Sequence, residues 1–365
     1  MSAEAIVLPT RLEVLGTGSS LPGIAISTAH LINRVTPFLP PGTPSVALRI
    51  GRRLAITSRH LVRSFDAAIE APRALDTAPK LAARAVQAAL SDASYDVHAL
   101  RILLGHTATP HTLLPANIAW VAEELRYRGP HTELRQACTG FAAATLFGAG
   151  LIASGVGPIA IVGSETGSVM FDPRRIAIDP AQLINLVQMG DGAGAIVLGP
   201  LASATAARIE MVFYGSSGSD RTPGLSLNEG GSGAPQISTA SVPHFTHDYA
   251  AIRVHGMELL RSGLHAAVQA GINLEQINWW LPHQVNGRLP ELCAQWLKLT
   301  PERVICDAAM LGNLGSAAIW VSLDRLRRSG RLARGDRVFV LGAEATKYMY
   351  GGFLYVHGDV EPSAC

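Results

Sequence analysis

Cross-links are scarce in this sequence. Four cysteines, Cys138, Cys293, Cys306 and Cys365, are scattered through 365 residues. That is too few for a disulfide framework, so a reducing compartment, the cytoplasm, is expected. No Cys-x-x-Cys or His/Cys spacing marks a metal site. Charge is sparse as well: 16% of residues are charged and the net charge is only +2, which argues against a nucleic-acid surface. The chain is 48% hydrophobic, with a mean hydropathy of +0.23. Gly, Pro or a charge nevertheless interrupts every apolar run before about eighteen residues, so no membrane span is expected. The opening stretch, MSAEAIVLPTRLEVLG, lacks the basic segment and apolar core of a secretion signal. What remains is a well-buried globular chain, long enough for two domains of ordinary size.

The chain repeats its own organisation at long range. LAARAVQAALSDASYDVHALRILLGHTAT (81–109) and LLRSGLHAAVQAGINLEQINWWLPHQVN (259–286) share a plan. Each has a helical pattern, a polar connection and an apolar run, and then a histidine, His106 or His283. Amphipathic helix patterns follow in both, NIAWVAEEL (117–125) and LPELCAQWL (289–297), and then a small-residue loop. One loop holds Cys138 and the other, LGNLGSAA, holds Asn313. Each half closes on an apolar strand pattern, IAIVGSE to Glu165 and VFVLGAE to Glu344. The spacing is kept: 59 positions separate His106 from Glu165, and 61 separate His283 from Glu344. Alternating strands and helices imply sheets covered by helices. The halves are drawn at residues 1–205 and 206–365, and a pseudo-twofold axis would bring Cys138 near the loops of His283 and Asn313. Residues 33–48 and 215–236 read as irregular connections, the second as an access flap or a plain surface loop. MGDGAGA (189–195) reads as a tight turn entering a strand.

Three of these residue types make a chemistry. A cysteine at a helix N-terminus meets unpaired N–H groups and partial positive charge, which favour the thiolate, and a nearby imidazole favours it further. Such a thiolate can attack a thioester and hold its acyl group. A histidine and an asparagine amide are donors for an enolate or a tetrahedral oxyanion. In QACTGFAAATLFGAG, Cys138 stands between a strand end and a run of small residues suited to a buried helix. A lone cysteine reads otherwise as a core thiol, and Cys293 and Cys306 are read so. His283 stands at a strand end, and Asn313 lies in a glycine turn that by itself suits asparagine.

Together these segments resemble the β-ketoacyl-acyl carrier protein synthase III family of thiolase-fold condensing enzymes. QACTGF is similar to the family's cysteine loop, LPHQVNGRL to its PHQAN motif, LGNLGSAA to its GNTSAA motif and MGDGAGA to its FGDGAGA stretch. RIGRRLAITSRHL (49–61) is similar to its RTGI-type segment. The resemblance spans nearly the whole chain. It implies a five-layered αβαβα fold from two duplicated halves, a homodimer and no tightly bound cofactor or metal. It implies that Cys138 accepts an acyl group from an acyl-CoA or acyl carrier protein thioester. His283 and Asn313 would then support decarboxylative Claisen condensation with a malonyl-type or β-ketoacyl thioester to a β-keto product, as in a specialised relative from secondary metabolism.

The departures fall around the second substrate. Leu314 replaces the family's Thr after Gly-Asn, and Gly315 is extra. EATKYMYGG (344–352) replaces the GGGFTWG-type turn that lends an N–H to the oxyanion hole. The tryptophan that stacks on CoA has no counterpart in PPGTPSVALRIG, which favours carrier-protein donors. Substrate contacts are expected from Leu114, Gln284, Asn286, Leu314, Thr346, Lys347 and Tyr348, with Leu114 reaching the partner's acyl pocket. Arg253 and Arg261 are candidate carrier-protein contacts. Two alternatives stay open: an acyltransferase to a hydroxyl or amine, and a non-catalytic partner subunit.

Overall fold

The computed structural model describes residues 5–65, 76–227 and 245–358. Nine strands form one sheet: β1 (Ile6–Ser20), β4 (Ile102–His106), β5 (His131–Leu134), β6 (Ile159–Glu165), β7 (Gly192–Pro200), β8 (Arg208–Ser216), β11 (Trp279–Pro282), β12 (Arg337–Glu344) and β13 (Met349–Val356). Two short ribbons stand apart, β2 (Ile26–Ser27) with β3 (Ser58–Arg59), and β9 (Leu225–Leu227) with β10 (Phe245–His247). The helices are α1 (Thr28–Val35), α2 (Thr43–Leu54), α3 (Ala78–Ala93), α4 (Asn117–Glu124), α5 (Gly140–Ala153), α6 (Gln182–Gln188), α7 (Tyr249–Gln269), α8 (Leu289–Leu297), α9 (Ala308–Leu311) and α10 (Ala318–Arg328).

The strand order β5-β4-β6-β7-β1-β8-β13-β12-β11 carries the internal repeat. β4 and β6 are parallel, and β7 then β1 follow antiparallel. β11 and β12 are likewise parallel, and β13 then β8 follow antiparallel. The counterpart of β5 is reduced to one bridge, Trp280 to Val304. β1 joins the halves: Ile6–Pro9 pairs with β8 only, and Val14–Ser20 with β7 only. Register shifts near Pro9 and Val14 let one strand serve both partners.

Helices stack on both sides of each half-sheet. α3 and α4 cover one outer face and α7 the other, while α5 and α10 lie between the two half-sheets. The layers therefore run α, β, α, β, α. GFAAATLFGAGLIA, the sequence of α5, has no polar face because both half-sheets pack against it. Its small residues let the sheets approach: a side chain on Gly140 would strike the His106 ring. Trp320 on α10 is fully buried in the same layer, its ring centroid 5.9 Å from Phe141 and 5.8 Å from Phe353. Its indole Nε1–H donates to His106 Nε2 at 2.9 Å.

Residues 33–48 are more regular than the sequence suggests. α1 runs to Val35, a 3₁₀ turn covers Thr36–Phe38, and α2 begins at Thr43. Pro44 sits in the first turn of α2, where its missing N–H costs nothing. MGDGAGA does enter a strand, at Gly192. Of residues 215–236, 228–236 lie outside the described residues, and 225–227 form β9.

Trp320→Ala removes the largest side chain of the middle layer. It is expected to cost about 3–5 kcal/mol, read as a lowered midpoint in urea unfolding. Trp320→Phe keeps the ring but leaves His106 without its donor, and is expected to cost about 1–3 kcal/mol.

Candidate active site

The nucleophile candidate lies where the sequence pattern puts it. Cys138 directly precedes Thr139, the N-cap of α5. The first two amides of that helix N-terminus are already taken. Thr139 donates both its N–H (2.9 Å) and its hydroxyl (2.7 Å) to Glu344 Oε2, and the Gly140 N–H donates to the Ala137 carbonyl at 3.1 Å. Burial first, then Glu344 and Glu165, push the Cys138 thiol well above its ordinary value. Desolvation and two nearby carboxyl groups disfavour a second negative charge, so the resting side chain is a thiol.

His283 follows β11, and its N–H donates to the Leu341 carbonyl of β12 at 2.7 Å. The next residue of β12, Gly342, is so close to the cysteine loop that an added Cβ would lie 3.3 Å from the Cys138 carbonyl oxygen. The imidazole is buried, and both ring nitrogens lack a partner. Burial lowers its pKa to about 4, so it is neutral at physiological pH. Its counterpart His106 is lowered by burial to about 3 and accepts from Trp320, a packing role.

Asn313 sits in a turn shaped by its glycines. Gly312 and Gly315 have φ of +69° and +49°, a region that favours residues without Cβ. The Gly315 N–H donates to Asn313 Oδ1 at 2.9 Å, so the extra glycine orients the amide and directs its NH2 group elsewhere. That NH2 group makes no hydrogen bond among the described residues.

Contacts through a few polar residues assemble the three loops. Ser316 Oγ lies 3.3 Å from the Gln136 carbonyl oxygen, which sets the Asn313 turn against the Cys138 loop. The Gln188 carbonyl accepts from Asn313 N–H at 2.7 Å, while its side chain donates to the Val285 carbonyl at 2.8 Å beside His283. No hydrogen bond links the side chains of Cys138, His283 and Asn313 directly. Sequence reasoning missed Gln188, Ser316, Glu165 and Glu344 as site residues. The repeated GSE and GAE endings were a visible signal for the glutamates.

The expected substrate contacts divide. Gln284 is buried and committed to the protein: Nε2 donates to Ser322 Oγ at 2.9 Å, and Oε1 accepts from Asp307 N–H at 2.6 Å and Ala308 N–H at 3.1 Å. It therefore braces α9 against the His283 loop instead of facing open space. Leu314 is also turned inward, packed with Leu311, Ala317 and Val321, because the left-handed Gly315 redirects the turn. Tyr348 points into the outer layer, where His255 and Arg221 cover its ring. Lys347 is exposed and its Nζ donates to the Arg221 carbonyl. Thr346 donates to Glu344 Oε1, and Asn286 Oδ1 accepts from Arg288 N–H at 2.9 Å. Leu114 is 87% exposed. Two surface clefts of about 530 and 520 Å³ lie elsewhere, one beside Lys80 and Trp120, the other beside Leu134 and Phe147.

Comparison with known proteins agrees with this geometry. A family model described as 3-oxoacyl-[acyl-carrier-protein (ACP)] synthase III matches residues 132–218. Its C-terminal companion matches residues 267–354. The chain is 29% identical over 352 residues to the β-ketoacyl-[acyl-carrier-protein] synthase III of Bradyrhizobium diazoefficiens, covering 94% of this chain and 97% of that protein. Among solved structures it resembles AbyA1, a tetronic acid condensing enzyme, with a TM-score of 0.81 and 26% identity over 94% of this chain and 99% of that one. The 3-oxoacyl-(acyl carrier protein) synthase III of Pseudomonas aeruginosa shares the fold at a TM-score of 0.76 and 24% identity, over 96% and 100% of the two chains. The chain is a thiolase-fold enzyme that is similar over nearly its whole length to the β-ketoacyl-acyl carrier protein synthase III condensing enzymes.

Proposed function

We propose that Cys138 takes up an acyl group from a carrier-protein or CoA thioester and passes it to the carbanion of a malonyl-type thioester. The observation that carries this reading is the unpartnered imidazole of His283. A buried ring with neither nitrogen bonded is costly, and that cost is relieved when a bound thioester supplies the partner. In the acylation step the Cys138 thiol proton passes to a ring nitrogen of neutral His283. The sulfur attacks the thioester carbonyl, the carbonyl–sulfur bond of the donor breaks, and the departing thiolate takes the proton back from the imidazolium. In the second step the malonyl-type group loses CO₂. The Asn313 amide and the His283 N–H donate to the enolate oxygen, the enolate carbon attacks the acyl-cysteine carbonyl, the carbonyl–sulfur bond to Cys138 breaks, and the released thiolate takes a proton from solvent to restore the thiol.

The reading extends to assembly and partners. We take residues 1–205 and 206–365 as the duplicated halves, the carrier protein as the acyl donor's partner, and the chain as a homodimer acting in the cytoplasm. Support for the dimer comes from the open edge of β5 and the apolar cleft beside it, with Phe147 57% exposed and Leu114 further out. Among the described residues no helix is long and apolar enough to cross a membrane.

Mixing the protein with a panel of acyl-CoA and acyl-carrier thioesters is expected to give a stable mass gain on the intact protein, absent in Cys138→Ala. Adding malonyl-carrier protein is then expected to release CO₂ and a β-keto product. Transfer to an alcohol without CO₂ would favour the acyltransferase reading instead. His283→Ala and Asn313→Ala are each expected to lower condensation by about 100-fold or more, with acylation less affected in Asn313→Ala.

The pH profile gives a separate check. The His283 pKa is lowered to about 4 by burial, so its neutral form is complete above about pH 5 and is lost as pH falls through about 4. Condensation by pre-acylated enzyme is therefore expected to show no inflection near 6.5, the ordinary histidine value. An inflection there that vanishes in His283→Gln would contradict the assignment.

A further inference from the structure

Glu165 and Glu344 end matching strands, β6 and β12, and each reaches across to the central helix of the other half. Glu165 Oε2 accepts the Ser316 N–H (3.1 Å) and hydroxyl (2.8 Å) ahead of α10. Glu344 Oε2 accepts the Thr139 N–H (2.9 Å) and hydroxyl (2.7 Å) ahead of α5. The remaining oxygens take the hydroxyls of Thr109 and Thr346. One clamp is thus built twice. The residue before the clamped hydroxyl differs: it is Gly315 in one half and Cys138 in the other.

We propose that Glu344 is a positioning residue of the acylation step, which fixes Cys138 by clamping Thr139 and holds the resting nucleophile as an uncharged thiol until a thioester is bound. This rests on the reading of Cys138 as the acyl acceptor. The groups around the thiol are consistent with it. Glu165 and Glu344 face the cysteine turn from β6 and β12, and neither carboxylate has an Arg or Lys partner among the described residues. His283 follows β11, and His106 of β4 lies against Gly140; burial keeps both imidazoles neutral. Tyr214 of β8 bonds Gln136, two residues before Cys138. No fixed positive charge among these groups offsets the two carboxyl groups, and like charge nearby disfavours a thiolate. An uncharged thiol resists alkylation and oxidation between turnovers. The thiol proton then leaves only when the sulfur attacks, by the route through His283 given above.

Glu344→Gln separates charge from shape. Its amide oxygen can keep both Thr139 bonds and its NH2 group can donate to Thr346 Oγ, so only the charge is lost. Alkylation of Cys138 by iodoacetamide is followed by peptide mass spectrometry from pH 6 to 10, which resolves Cys138 from Cys293 and Cys306. The midpoint is expected to move to lower pH in Glu344→Gln, and the rate at pH 7 to rise roughly 3- to 10-fold, the gain in thiolate being partly offset by its lower nucleophilicity. Glu344→Asp keeps the charge on a shorter arm and is expected to hold the midpoint near the wild-type value. Glu165→Gln leaves the Thr139 clamp intact and is expected to shift the midpoint the same way by less, which keeps a test in hand if Glu344→Gln does not fold. An unchanged midpoint in folded Glu344→Gln overturns the proposal. So do equal shifts in Glu344→Gln and Glu344→Asp, and so does an unchanged midpoint in Glu165→Gln where Glu344→Gln cannot be prepared. A clear shift together with no acyl adduct in the wild type would count against Cys138 as the acyl acceptor, while the electrostatic assignment would stand.

Discussion

Two helices, the apolar α5 and the amphipathic α10, start in the middle of the protein, and the arrangement near the site follows from the need to satisfy their first amides there. A helix N-terminus in water can leave those groups to solvent, whereas one between two sheets needs partners from the protein. The halves answer the need for each other: Glu344 accepts from Thr139, and Glu165 accepts from Ser316. Each bond crosses between duplicated units, so neither central helix is completed by its own half. The loops of Cys138, His283 and Asn313 meet at this crossing because the strand ends that carry the glutamates also flank His283 and the Asn313 turn.

The same crossing sets the electrostatics. A cysteine at a helix start is commonly read as a ready thiolate, since the N–H groups and dipole favour the anion. Here a carboxylate already occupies the Thr139 N–H and spends that advantage on holding the helix. Burial leaves His106 and His283 uncharged, so no imidazolium compensates. The site is arranged around a neutral thiol and a neutral imidazole, and in the proposed reaction a bound thioester supplies the hydrogen-bond partner that the imidazole lacks.

The departures from the family pattern take on a physical sense in this setting. Gly315 adopts a left-handed conformation whose N–H fixes the Asn313 amide. The turn after β12 keeps Thr346 against Glu344 and sends Lys347 and Tyr348 toward Arg221, away from the cysteine. Its non-glycine residues are accommodated because their side chains leave the site. Gln284, next to His283, braces α9 and so the approach to Asn313.

The sequence by itself showed the repeated organisation and the candidate reactive groups. Helical and strand periodicities recur in the same order in both halves; Cys138 and Asn313 stand in matched small-residue loops, and His283 stands at the strand end matched by His106. These features are local, so a linear reading reaches them. Orientation was decided only in three dimensions. Nothing local to QACTGF shows that a glutamate 205 positions beyond Thr139 takes its N–H, and nothing in LGNLGSAA shows that Leu314 turns into the core while the next glycine holds the amide. The ionisation of Cys138 depends on burial and on charges brought from distant strands, quantities that exist only once the two half-sheets have closed on α5 and α10.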